Sequence, residues 1–223
     1  MTLAFTLEDH GAAHLPGAAA PFLSALEALA SRVPVARGGV RLHGVEGLAE
    51  LLAPDVLGAA AVQVLGADAR PVRAILFDKG EGNNWALGWH QDRTIAVRTR
   101  VDVPGFGPWS VKQGLLHVEP PFAVIEGMVT LRVHLDAVPA DNAPLLIAPG
   151  SHRLGRVPEG EVAGAVARCG TATCLAAAGD AWLYATPILH ASAAASGHAH
   201  RRVLQVDFSA APLPGGLDWL GIG

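Results

Sequence analysis

Two periodicities divide the chain. From about residue 18 to 65, apolar positions recur at three- and four-residue spacing. The stretches PFLSALEALASRV and VEGLAELLAPDVLGAAAVQVLG both follow this spacing, which predicts amphipathic helices, with Pro54 marking a break or a new helix start. After Pro71 the period becomes two. VRAILFDK, WALGWHQDRTIAVRTR, MVTLRVHLDAV, APLLIAPGSH, GDAWLYATPILHAS and RRVLQVDFSA read as strands separated by turn residues. Helices first and short strands afterwards predict one α+β domain, mainly β, over residues 1–223. It has a helical part over about 1–70 and a sandwich or barrel core over about 71–212.

The alternation is cleanest in MVTLRVHLD. Val129, Leu131, Val133 and Leu135 share one face, and Thr130, Arg132 and His134 share the other. On an open sheet that polar face meets solvent; in a small barrel it lines a cavity. The second option makes Arg132 and His134 candidate contacts to a co-substrate or substrate. Residues 102–122 fit neither period. They are rich in proline and glycine, carry Phe106, Trp109 and Phe122, and are too long for a hairpin turn. Such a segment is either a lid over a binding site, with Trp109 a candidate substrate contact, or an inert insertion.

Composition narrows the classes. Hydrophobic residues make up 51% and charged ones 16%, enough for a substantial core. The net charge is -4 and no basic run exists, which argues against phosphate-driven nucleic-acid binding and gives no surface for a CoA thioester. No secretory leader and no membrane-length apolar window are evident, so a cytoplasmic protein acting on a small molecule is expected. Cys169 and Cys174 suit neither a disulfide framework nor a zinc site and read as reduced thiols.

Candidate chemistry starts at GWHQDRTIAV. On an extended strand, His90 and Asp92 at i and i+2 point to one face. Far along the chain, His190 ends the strand-like run GDAWLYATPILH and can supply a third ligand. Two imidazoles and one carboxylate on one face leave three positions open, which suits Fe(II) that binds a co-substrate and oxygen. A structural zinc site would be closed and four-coordinate. Arg201 and Arg202 follow His190 by eleven and twelve residues and point to opposite faces of their strand. Arg201 shares its face with Val203, Gln205 and Asp207, so a polar interior favours Arg201 as the partner of an anionic co-substrate. Lys79 shares a face with Arg73, Ile75 and Phe77 and either reaches the pocket or ends its strand in solvent. Trp85 is a candidate pocket wall. Gln91 points away from the ligands and can brace a neighbouring strand, and PGSH at 149–152 is a turn with His152 near the site. His198 and His200 fall in a turn.

WHQD at 89–92, DNAPLLIAPGSH at 141–152, GDAWLY at 179–184, and HAS with the later RR at 190–202 resemble the phytanoyl-CoA dioxygenase-like family of Fe(II)- and 2-oxoglutarate-dependent oxygenases. The resemblance covers roughly residues 70–210. It implies a double-stranded β-helix, a jelly-roll of the cupin type, with N-terminal helices packed on one sheet. It also implies iron on His90, Asp92 and His190, and the distal carboxylate of 2-oxoglutarate on Arg201 with help from Ser192. The implied reaction hydroxylates a small molecule with oxygen and releases succinate and carbon dioxide. Two positions depart from the family: Asn142-Ala143 stands where Asn-Gly is common, and Arg132 where a tryptophan can line the co-substrate pocket. The alternatives are another cupin-type metalloenzyme, such as an isomerase or a non-oxoglutarate dioxygenase, and a catalytically inactive binding module on the same barrel.

Overall fold

The computed structural model describes residues 5–34, 38–80, 83–195 and 200–223. Its largest sheet holds six antiparallel strands in the order β1 (Ala12–Leu15), β11 (Ala181–Ala185), β8 (Met128–His134), β13 (Arg201–Ser209), β3 (Arg70–Lys79) and β2 (Gly39–Leu42). A second sheet holds four, in the order β10 (Ala172–Cys174), β9 (Leu145–Ile147), β12 (His190–Ser192) and β4 (Leu87–His90). A third is small: β5 (Ile95–Ala96), β7 (Leu115–Val118) and β6 (Trp109–Lys112). Most sheet neighbours are not chain neighbours, because the chain crosses repeatedly between the two larger sheets; this is the jelly-roll. The helices are α1 (Leu7–His10), α2 (Leu23–Ser31), α3 (Leu48–Leu51), α4 (Ala59–Leu65), α5 (Phe122–Glu126) and α6 (Val162–Cys169). Among the described residues no helix is long and apolar enough to cross a membrane.

The period-two pattern decides what each face of the large sheet meets. Leu76, Leu131, Val133, Leu204 and Val206 point outward and pack against Leu26, Leu29, Leu48 and Leu52 of the N-terminal helices and the turns flanking them. Arg73, Lys79, Arg132, Arg201, Gln205 and Asp207 are buried on the opposite, inner face. Every residue of β8 is buried, so Thr130, Arg132 and His134 sit inside the barrel and not in solvent. An apolar plug of Leu145, Ile147, Cys174, Trp182, Tyr184 and Ile188 fills part of the space between the sheets. The rest is polar.

Two expectations need correction. The stretch before residue 70 is not helical throughout: it also contributes β1 and β2, each four residues long and both in the large sheet. Strands that short leave no readable period beside the helical spacing around them. Residues 102–122 are not irregular throughout. They contain the hairpin β6–β7, turned at Gln113 (φ 53) and Gly114 (φ 79). Two central residues with positive φ make the tight turn that matches strand twist, but Gln-Gly lacks the usual asparagine or aspartate signal. Gln113 ties this hairpin to β2: its Oε1 accepts from the Arg41 backbone N–H (2.9 Å) and its Nε2 donates to the Gly39 carbonyl (2.7 Å).

Leu131 lies between the large sheet and the helices at 1% exposure. Leu131→Ala should cost about 2–5 kcal/mol in urea unfolding, and a loss near zero would remove it from a packed core.

Candidate functional site

His190 is the direct cross-strand partner of His90 where β12 pairs with β4. Antiparallel pairing therefore sets side by side two imidazoles a hundred residues apart in sequence, with ring centroids 4.3 Å apart. β4 ends at His90, and Asp92 follows in the irregular stretch before β5. One ligand atom from each of His90, Asp92 and His190 lies within 4.8 Å of the others. Each imidazole is held through Nδ1, which donates to the carbonyl two residues earlier: Gly88 at 2.7 Å for His90 and Ile188 at 3.0 Å for His190. Both Nε2 atoms are left as acceptors. Burial, and then the neighbouring His90, push the His190 imidazole down to about 4, so it is neutral at pH 7. Two imidazoles and a carboxylate form the donor set that fits ferrous iron with open positions.

Arg73 holds the carboxylate. Its Nη2 donates to Asp92 Oδ2 (3.3 Å) and its Nε to Asp207, while Asp207 Oδ1 accepts from the Thr130 hydroxyl (3.0 Å). Burial raises the Asp92 carboxyl, but Arg73 and the two imidazoles outweigh it and hold it below the usual carboxylate range. Asp207 moves the other way, raised by burial against the pull of Arg73 and further by the charge of Asp92. The Arg73 guanidinium itself is shifted upward, since Asp207 and Asp92 outweigh its burial.

The trio opens onto a cavity of about 760 Å³. At the end of the cavity formed by the Lys79–Arg201 pair of β3 and β13 sit three buried cations. Lys79 is 1% exposed, Arg201 1% and Arg132 5%. Among the described residues, their hydrogen-bond partners are all neutral. Lys79 Nζ donates to the Ser192 hydroxyl (2.9 Å) and to the carbonyls of Trp85 (2.6 Å) and Ala193 (2.9 Å). Arg132 Nη1 donates to Gln205 Oε1 (2.8 Å), and Arg201 Nη1 to the Ala143 carbonyl. The Nε of both arginines is buried without a partner. Burial, then Arg201 and Arg132, push the Lys79 ammonium down to about 7; burial and Arg132 push Arg201 down to about 9. Three buried basic side chains with no counter-charge among the described residues are costly to charge, and a dianion placed among them would offset that cost.

Most sequence-derived candidates meet in this cavity. His90, Asp92, His190, Lys79, Arg132 and Arg201 line it, as do Ser192 and Trp85. Lys79 is therefore not a solvated strand end. Two candidates lie elsewhere. Trp109 packs in an apolar cluster with Val72, Ile95 and Phe106, under the Arg100 guanidinium, because it faces away from the cavity on β6. His134 is fully buried beyond Arg132 with neither ring nitrogen bonded, and burial pushes it down to about 3. His152 packs against Gly11 and not at the ligands; the useful residue of PGSH is Ser151, whose hydroxyl accepts from the Leu189 N–H (2.9 Å) next to His190. His200 pairs with Asp78 (2.9 Å), and His198 lies outside the described residues. Ala143 has φ 49, the left-handed conformation that glycine takes at the common Asn-Gly turn, and its carbonyl is what Arg201 binds. Arg41, Lys112, Arg93 and Trp89 also line the cavity, and no motif pointed to the three cations.

Gln91 braces the ligand loop as its direction on the chain suggested. Its Nε2 donates to Pro187 O (2.7 Å) and Gly155 O (3.0 Å), and its Oε1 accepts from Val157 N–H (2.9 Å). Gln91→Ala should lower stability by roughly 2–4 kcal/mol in chemical denaturation, because buried backbone groups lose their partners. Unchanged stability would contradict this bracing role.

The family model described as Phytanoyl-CoA dioxygenase (PhyH) matches residues 8–203. No curated protein matches the chain in sequence. Among solved structures, AviO1 from Streptomyces viridochromogenes Tue57 is 20% identical with a TM-score of 0.65, over 93% of this chain and 95% of that one. EctD from S. alaskensis with 2-oxoglutarate and 5-hydroxyectoine is 16% identical with a TM-score of 0.65, over 91% and 73%. HygX from Streptomyces hygroscopicus with nickel and 2-oxoglutarate bound is 14% identical with a TM-score of 0.60, over 91% and 84%. At these identities the likeness speaks for the fold, and the jelly-roll is shared. The family match spans most of the chain, and on that ground this protein belongs to the phytanoyl-CoA dioxygenase family and is an Fe(II)- and 2-oxoglutarate-dependent oxygenase.

Proposed function

We propose that His90, Asp92 and His190 hold the ferrous ion, that 2-oxoglutarate lies against Lys79, Arg201 and Ser192, and that the enzyme hydroxylates a small molecule. The observation that carries this reading is the pairing, in one cavity, of an open two-histidine, one-carboxylate trio with three buried basic side chains that have no acidic partner among the described residues. Another cupin-type metalloenzyme without 2-oxoglutarate would have no use for those cations, and an inactive binding module would have no use for the trio. The volume, about 760 Å³, suits a small-molecule substrate beside the co-substrate.

When bound, the iron, 2-oxoglutarate and oxygen supply the oxidising chemistry, with succinate and carbon dioxide as co-products. The chain supplies position and charge. The Gly88 and Ile188 carbonyls fix the tautomers of the two histidines, and Arg73 aims the Asp92 carboxylate. The Arg201 guanidinium offers parallel donors to a distal carboxylate, and the Lys79 ammonium, already bonded to Ser192 Oγ, adds a point charge beside it. Arg132 lies over the Phe77 ring (5.4 Å) and adds charge to the same end of the cavity. Trp85, Trp89 and Leu87 give the cavity its apolar wall.

Anaerobic addition of Fe(II) and 2-oxoglutarate should produce the weak visible charge-transfer band of the chelate, and His190→Ala should abolish it. No band from the unaltered protein would contradict the proposal. The depressed Lys79 ammonium gives a second expectation. Near pH 8 it is largely neutral in the free protein, and a dianionic ligand favours its charged form. Binding of 2-oxoglutarate should therefore take up protons and weaken as pH rises above about 7. Calorimetry in buffers of different ionisation enthalpy measures this uptake. It should shrink in Lys79→Met; equal uptake in that variant would assign the proton elsewhere.

A further inference from the structure

Two further cations line the cavity and remain unused by the chemistry above: Arg41 on β2 and Lys112 at the end of β6. Arg41 pairs with Ile75 across β2–β3, whereas Lys79 pairs with Arg201 four residues further along β3, or about 13 Å at strand rise. They are thus a separate positive centre from the one assigned to 2-oxoglutarate. The acids on this side are already committed: Asp92 and Asp207 to Arg73, and Glu159 to Arg93 (3.3 Å). Among the described residues, neither Arg41 nor Lys112 forms a salt bridge. Lys112 Nζ donates to the Thr94 hydroxyl (2.9 Å). Arg41 Nε donates to His117 Nε2 (3.3 Å), an acceptor because His117 Nδ1 donates to Leu115 O (2.9 Å).

Holding the hairpin in place does not account for these two charges. Gln113 does that work with backbone groups of Gly39 and Arg41, and the Arg41 side chain adds only its Nε. Its two terminal nitrogens have no protein partner among the described residues. Burial lowers Arg41, with Arg73 adding to the effect; burial, Arg73 and Arg41 lower Lys112. Asp92 opposes both shifts without cancelling them, so a further anion beside the pair would relieve the remaining repulsion.

We propose that the substrate carries an oxyanion, a carboxylate or a phosphate ester, that binds between Arg41 and Lys112. This rests on the oxygenase site proposed above and names the substrate class for it. The guanidinium fork matches such a group, and Lys112 adds a movable donor. A basic subsite assembled by the fold replaces the basic run that the sequence lacks.

Anaerobic calorimetry tests the site on protein loaded with Fe(II) and saturating 2-oxoglutarate, with sulfate, methyl phosphate and propionate as titrants at constant ionic strength. Saturable binding is expected, and the tighter of methyl phosphate and propionate tells phosphate ester from carboxylate. Arg41→Gln and Lys112→Gln should each weaken it about tenfold, the factor of one charge-assisted hydrogen bond. The chelate band is recorded on the same samples. If the band forms and no titrant binds saturably, or both variants bind as tightly as the unaltered protein, the anion subsite is overturned alone. If the band never forms, the oxygenase assignment of the cavity falls, and this inference with it.

Discussion

A cation buried in protein needs a negative charge beside it, and this constraint organises the interior of the barrel. Where the chain supplies the counter-charge, the result is rigid architecture: Arg73 joins Asp92 and Asp207, and Thr130 completes the set from β8. Where it does not, the result is capacity for a ligand. Among the described residues, Lys79, Arg132 and Arg201 meet only neutral oxygens, although all three are inside the molecule. A family member that must seat a dianion beside a divalent metal can use an interior that is positive before loading and balanced after it.

The proposed ligands depend on strand register. His90 and His190 face each other because β4 and β12 pair there, and a one-residue slip would turn one imidazole away from the cavity. Side-chain braces protect that register. Gln91 ties the ligand loop to the segments around Gly155 and Pro187, and Ser151 fixes the backbone just before His190. The hairpin β6–β7 does the same at the other edge, where Gln113 ties it to β2 and carries Lys112 into the cavity.

Legibility in the sequence followed the length and period of each element. β3, β8 and β13 are seven residues or longer and alternate cleanly, so the two faces of each could be separated, while which face met the cavity stayed open until the barrel closed. β1 and β2 are four residues each and vanished into the helical stretch around them. Strand spacing offered His90, Asp92, His190 and Arg201 as candidates, and the family resemblance matched them, because those residues sit in local motifs. Arg41 and Lys112 sit in none. They lie far apart in sequence, on short strands, and become neighbours only when the hairpin folds onto β2. That is also why a chain with net charge -4 and no basic run can hold a strongly positive cavity. Trp109 misled for the converse reason: aromatic content suggested a binding loop, but the hairpin turned that ring toward an apolar cluster.

The most direct test of charge balance inside the barrel is a crystal structure grown without oxygen in the presence of 2-oxoglutarate and manganous ion as a stand-in for iron. The expected density places the ion on His90, Asp92 and His190 and the distal carboxylate of 2-oxoglutarate in contact with Lys79 and Arg201. An ion bound elsewhere, or a co-substrate that leaves those two cations without an anionic partner, would contradict it.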